Sequence, residues 1–225
     1  MDSCLLCNKT LGYDISLSFL LSFKSLIKKY VCEECLSRFE RIDKTRICEA
    51  CGRQMDKMGI CNDCQKWHRL GDDFVNESIF KYNDAMKDFM HRYKFVGDYQ
   101  LRMIFQNEIR KKIRKELVVV PIPISSETKK ERGFNQVIGL LGDVEYVSAL
   151  IVNKKHKTRQ STLNRKERIH NQQVFSIDEK AISKIVNQNV LLVDDIYTTG
   201  TTIRHAATVL RQNGVQHVFG LTLCR

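Results

Sequence analysis

Two carboxylates, Asp194 and Asp195, close the apolar run VLLV (190–193) and stand just ahead of the hydroxyl-rich stretch Thr198-Thr199-Gly200-Thr201-Thr202. Acids repel an anion, whereas a loop of hydroxyls and free backbone N–H groups at a helix start attracts one. A ribose 5-phosphate reconciles the two. Its phosphate would take the loop, with Gly200 allowing close backbone approach. Its 2′ and 3′ hydroxyls would take the carboxylates, directly or through Mg²⁺. No lysine follows the glycine, so the loop is not of the Walker type. A capped strand–helix turn would account for the threonines but not for adjacent acids.

A second chemistry lies at the other end of the chain. Eight of the nine cysteines form four CxxC pairs: Cys4/Cys7, Cys32/Cys35, Cys48/Cys51 and Cys61/Cys64. Two residues between cysteines let both sulfurs of a tight turn face one tetrahedral metal, and two such turns close a site without water. The simplest pairing makes one Zn²⁺ site from the first four and a second from the last four; an interleaved pairing is the alternative. Gly52 after Cys51 suits a knuckle that needs positive φ. A redox CxxC is disfavoured, because no strand–helix setting surrounds the pairs. Cys224, in the last apolar run, reads as buried rather than ligating. His68 and His205 read as surface or structural.

The formal net charge of +11 suggests a polyanionic partner or a basic soluble surface. Eight thiolates and two Zn²⁺ lower it to +7, and bring residues 1–70 from +3 to −1, while residues 71–225 keep +8. The basic excess therefore belongs to the second part, and the zincs read as structural, letting a short segment fold with little core. No signal peptide is evident, and the run LSFLLSF (17–23) is too short to span a bilayer. A cytoplasmic protein is expected, in which a disulfide scaffold would not persist.

These residues need elements to position them. The pattern predicts a cysteine-rich module over 1–70, a connection over 67–76, and an α/β domain over 71–225. In that domain helices are expected at 84–95, 99–115, 132–144 and 201–214, with Gly214 ending the last. Strands are expected at 117–124, 146–152, 190–194 and 215–223. Alternating strands and helices imply a parallel sheet, whose ligands sit at the C-terminal ends of its strands.

The stretch VDDIYTTGTT resembles the phosphoribosyl pyrophosphate (PRPP) motif of type I phosphoribosyltransferases. With the CxxC pairs, PIPISSETKKERGFNQ (121–136) and KTRQSTLNRKERIHN (157–171), in that order, it resembles the ComF family over essentially the whole chain. The resemblance implies a double zinc-ribbon module joined to a type I phosphoribosyltransferase-like parallel-sheet domain. It implies PRPP bound with Mg²⁺, with Asp194 and Asp195 on the ribose as the catalytic pair, Thr198, Thr199, Gly200, Thr201 and Thr202 on the 5-phosphate, and Arg132 on the pyrophosphate. It also implies a role in importing single-stranded DNA during natural transformation, alongside the helicase-like ComFA, with recruitment to the inner face of the membrane by the uptake machinery. The segment 154–168, with seven Lys/Arg and one Glu, falls where such folds carry a loop over the site. Lys154, Lys155, Lys157 and Arg159 there are the candidate nucleic-acid contacts. An active phosphoribosyltransferase with an unidentified acceptor is the alternative reading, and a purely structural scaffold a third.

Overall fold

A computed structural model describes residues 2–12, 18, 21, 28–153 and 174–225. Four parallel strands form the central sheet in the order β1-β6-β5-β2: β1 (Val75–Phe80), β6 (His217–Cys224), β5 (Asn189–Ile196) and β2 (Val118–Pro121). β5 reads as a near-continuous apolar run because helices or loops cover both its faces. Its alternate residues feed two separate cores. Val190 and Leu192 pack with Ile203, Ala206, Val209 and Leu210 of the long helix that follows. Leu191 and Val193 pack with Met86, Phe89, Phe105 and Leu140 on the other side.

The helices are α1 (Glu33–Ser37), α2 (Asn62–Arg69), α3 (Asp84–His91), α4 (Arg102–Arg110), α5 (Ser126–Arg132), α6 (Gln136–Leu141), α7 (Ile182–Ile185) and α8 (Thr201–Gln212). Several expectations are corrected. The segment 67–76 is not a plain connection: it holds the end of α2, a turn at Gly71 (φ +77°) and the start of β1. β1 escapes the apolar pattern because Asn76 and Ser78 are buried in it, paired with each other and with Thr222 of β6 at 2.7–3.1 Å. The helix expected over 84–95 is α3 followed by a π-helical turn, Arg92–Val96, and the one over 99–115 is a short 3₁₀ turn leading into α4. The stretch expected to form one helix over 132–144 is split. Gly133 (φ +84°) ends α5, and Asn135 caps α6 by accepting from the N–H groups of Val137 and Ile138. The strand expected over 146–152 narrows to β3 (Leu150–Val152), which pairs antiparallel with β4 (Phe175–Ile177) outside the parallel sheet.

Candidate functional site

β5 lies inside the sheet, flanked by β6 and β2, and its C-terminal end carries both acids. Strand alternation sends Asp194 to the α8 face, with Val190 and Leu192, and Asp195 to the face of α3 and α4. Both are nearly buried, at 8% and 4% exposure. Asp195 is met by Lys94, whose Nζ lies 2.7 Å from Oδ2. Lys94 comes from the π-helical turn, a form that often marks functional sites. Among the described residues no cation pairs directly with Asp194. Its Oδ1 accepts the Asp195 N–H at 2.9 Å. Burial, and next the charge of Asp195, push its carboxyl well above the usual carboxylate range.

The loop after β5 begins with Tyr197, which is buried, while Thr198, Thr199, Thr201 and Thr202 are exposed. Gly200 stands at φ +83° ahead of the first turn of α8. A Cβ there would run into the Tyr197 hydroxyl, so the position requires glycine twice over, for its backbone angle and for the ring beneath it. Two side chains draw the loop's carbonyls inward: Trp67 Nε1 donates to Thr199 O at 3.2 Å, and Arg225 Nη1 to Thr198 O at 3.2 Å. The peptides are trans, so the N–H groups of Thr199 and Gly200 face the opposite way. The open N-terminal turn of α8 adds further N–H groups and the positive end of its dipole. Such a loop attracts a phosphate.

Arg132 ends α5 and donates to the Gln136 side chain. The π-helical turn packs beside this segment: the Tyr93 hydroxyl donates to Gln136 O at 2.8 Å, and the Tyr93 and Phe134 rings lie 5.2 Å apart. The same turn exposes Phe95 and Val96 next to Lys94, and Tyr99 beyond them carries the Arg102 guanidinium 4.2 Å from its ring centre. Lys94 is the site residue that sequence reasoning missed; one lysine in a helical pattern carries no signal until the tertiary fold places it. The acids, the threonine loop and Gly200 are contiguous at the end of β5, with Arg132 on the neighbouring segment after β2. Lys154, Lys155, Lys157 and Arg159 lie outside the described residues.

The cysteines gather into two groups, Cys4, Cys7, Cys32 and Cys35, and Cys48, Cys51, Cys61 and Cys64; within each, all sulfurs lie within 4.8 Å of one another. This is the sequential pairing. The Cys7–Cys32 and Cys51–Cys61 sulfur pairs stand at 3.8 and 3.7 Å. A tetrahedral ion with Zn–S bonds of about 2.3 Å sets sulfurs roughly 3.8 Å apart. No sulfur is in a disulfide. Backbone N–H groups point at sulfur in both groups, Cys32 N at 3.4 Å from Cys4 Sγ and Cys61 N at 3.3 Å from Cys48 Sγ. Hydrogen bonds from Cys51 and Cys64 pull the Cys48 thiol far down, and bonding to Cys48 pushes Cys51 up to about 12. A divalent ion bound by thiolates favours the ionised form of all four. The donor set therefore fits two zinc ions. Cys224 is buried, as expected, with Sγ 3.6 Å from Asp195 O.

Sheet, acid pair, threonine loop and cysteine clusters together define the class of protein. Residues 100–225 match the family model described as the phosphoribosyl transferase domain. Over its whole length the chain is 35% identical to competence protein ComFC of Streptococcus pneumoniae, covering 99% of each chain. It is 32% identical to competence protein ComFC of Bacillus subtilis, covering 99% of this chain and 94% of the relative. Competence protein F of Haemophilus influenzae is 25% identical over 86% of this chain and 89% of its own. The chain belongs to the ComFC competence-protein family, with a zinc-ribbon front and a phosphoribosyl transferase domain behind it. Among the described residues no helix is long and apolar enough to cross a membrane.

Proposed function

We propose that this chain binds Mg-PRPP at the end of β5 and acts in the cytoplasm in handling single-stranded DNA during natural transformation. One observation carries the ligand assignment: a buried acid pair runs straight into an exposed threonine loop at an open helix start, inside a phosphoribosyl transferase domain. The loop takes the 5-phosphate, Asp194 and Asp195 take the ribose hydroxyls, and Arg132 faces the pyrophosphate. Lys94 pairs with Asp195 before ligand arrives and yields to it when ribose or Mg²⁺ enters. Titration calorimetry tests the site. Replacing both acids (Asp194→Asn/Asp195→Asn) should weaken Mg-PRPP at least tenfold, the scale of losing charge-assisted hydrogen bonds of about 1.5–3 kcal/mol; unchanged affinity sinks the assignment.

The competence role is supported by the ComFC names of the full-length relatives and by the basic excess of residues 71–225. A ComFA-like helicase is the expected protein partner. Lys154, Lys155, Lys157 and Arg159 track the phosphate backbone, and exposed Phe95 offers a face for an unpaired base. Changing the four cations to Glu should weaken single-stranded DNA binding and flatten its salt dependence by about three in log–log slope, at roughly 0.7 per lost phosphate contact. An unaltered slope removes these residues from the interface.

The second reading, an active phosphoribosyltransferase, is favoured by Lys94 at Asp195 and by Arg132 on the segment that packs against the same π-helical turn. PRPP carries its own leaving group, so positioning and charge neutralisation would suffice: the bond from C1′ to pyrophosphate breaks as an acceptor attacks C1′. Pyrophosphate release that depends on one acceptor would establish it.

A further inference from the structure

The second cysteine cluster and the threonine loop are joined by one buried side chain. Arg204 of α8 is 1% exposed and is the largest side chain fully enclosed among the described residues. Its Nε donates to the Tyr197 hydroxyl at 3.0 Å, its Nη1 lies 3.0 Å from Asp72 Oδ2, and its Nη2 lies 3.8 Å from Cys64 Sγ. The guanidinium is flanked by Trp67 and Phe74, at 5.2 and 5.4 Å from their ring centres. Each partner leads back to the loop or to the cluster. Tyr197 is the ring under Gly200, Trp67 holds the Thr199 carbonyl, and Trp67 lies on α2, the helix that carries Cys64.

We infer that Arg204 is a positioning residue through which metal in the Cys48–Cys51–Cys61–Cys64 cluster sets the shape of the phosphate loop. A Zn²⁺ held by four thiolates leaves two negative charges uncompensated in a buried place, and a guanidinium is the side chain best suited to meet them while bonding two further partners. With metal in place, Arg204 is fixed between Cys64 and Asp72. It then fixes the Tyr197 hydroxyl, while Trp67, anchored on the same α2, fixes the Thr199 carbonyl and so turns the loop amides outward. Loss of the metal frees Cys64 from its fixed place against Arg204 and loosens the helix that carries both Cys64 and Trp67. Among the described residues, the first cluster has no bond to this loop. Its neighbouring carbonyls, Leu5 O and Leu6 O, bond instead to Arg92 of the π-helical turn. This assignment rests on the loop being the PRPP phosphate site.

Coupling of two sites is reciprocal: whatever the metal gives to ligand affinity, the ligand returns to metal retention. The test treats zinc-loaded full-length protein with excess chromogenic chelator, with and without saturating Mg-PRPP, and locates the released site by alkylation of the freed thiols. Mg-PRPP should slow zinc loss from the Cys48–Cys64 cluster at least fivefold and leave the Cys4–Cys35 cluster within twofold. In Arg204→Lys, which keeps the charge but cannot reach Tyr197, Cys64 and Asp72 together, the protection should vanish. Equal slowing of both clusters, or of neither, by protein that demonstrably binds Mg-PRPP overturns the inference. A ligand-free measurement separates this from the PRPP assignment itself. Hydrogen exchange of the two bonded amides that bracket the loop, at position 197 (to Cys224 O) and position 204 (to Gly200 O), should quicken at least tenfold in Arg204→Lys, whether or not PRPP binds. Unchanged exchange there overturns the coupling, whereas quickened exchange in a protein that does not bind PRPP leaves the coupling standing and removes its ligand.

Discussion

The two faces of the central sheet carry the same set of parts in different states of balance. On the face of α3 and α4, Asp195 is met by Lys94, and Arg92 on the same π-helical turn bonds the carbonyls of Leu5 and Leu6 beside the first cysteine cluster. On the α8 face, Asp194 has no cation of its own among the described residues, and the corresponding arginine reaches the second cluster's sulfur directly. The clusters differ to match. The first has an exposed member, Cys7, and a small core shared with Leu11 and Val31. The second is wholly buried and lies in the same core as β5 and α8. One face has a cysteine cluster attached to its rim; the other has one built into its core. The two clusters, alike in ligand set, therefore stand to the fold in different relations.

The largest expected effect comes from breaking each cluster in turn. Structural zinc in small modules contributes apparent binding energies of about 10–16 kcal/mol, against a whole-domain stability of about 5–15 kcal/mol. Cys61→Ser should therefore abolish the cooperative thermal transition of the entire chain. Cys7→Ser should cost the first cluster its zinc and leave the main transition within a few degrees of wild type. Calorimetry beside zinc counting reads both. Equal damage from the two variants would erase the distinction between rim and core.

How much of this was legible in the sequence depends on how local each signal is. VLLVDD followed by TTGTT, and the CxxC spacings, are local: the backbone of one strand end or one knuckle contains the whole arrangement, so residue type and spacing suffice. The segment SETKKER (126–132) forms α5 with no buried residue, so it has no apolar periodicity to read. β1 hides its two buried polar residues in a network that exists once β6 lies alongside. Lys94 and Arg204 are the hardest cases. A lysine on an amphipathic helix and an arginine in TTIRHAAT both read as solvated charges, and it takes the partner's position, Asp195 or Cys64, to make burial of either tolerable. That adjacent acids face opposite ways follows from strand alternation once β5 runs on to Ile196, past both Asp194 and Asp195.

An intermediate effect should separate the two acids. The Asp194 carboxyl is raised in the folded protein, so the folded state holds its proton to higher pH than the unfolded chain does. Stability is therefore lost as pH rises from the ordinary carboxylate value, about 4, toward the raised folded one. Asp194→Asn removes that loss while keeping an oxygen to accept the Asp195 N–H. The variant should melt higher than wild type at pH 7, with the advantage shrinking to nothing near pH 4, although it binds Mg-PRPP less well. Asp195→Asn, which strands the Lys94 ammonium at 15% exposure, should instead melt lower at pH 7. Parallel melting curves for the two variants across pH would mean the faces are balanced alike.

The smallest effect concerns the tether on the rim. Arg92 bonds Leu5 O at 2.9 Å and Leu6 O at 3.2 Å and pairs with Asp98 at 2.8 Å, but its side chain is 37% exposed. Water can replace much of what it does, so Arg92→Ala should cost about 1 kcal/mol or less. Its influence on ligand is indirect, through the turn that carries Lys94, and Mg-PRPP affinity should fall by no more than about threefold, a change worth under 1 kcal/mol. Comparison with Arg204→Lys then measures the asymmetry itself. If the rim tether moves affinity as far as the buried one, the first cluster is joined to the ligand as tightly as the second, and the π-helical turn, rather than the threonine loop, is where metal and ligand meet.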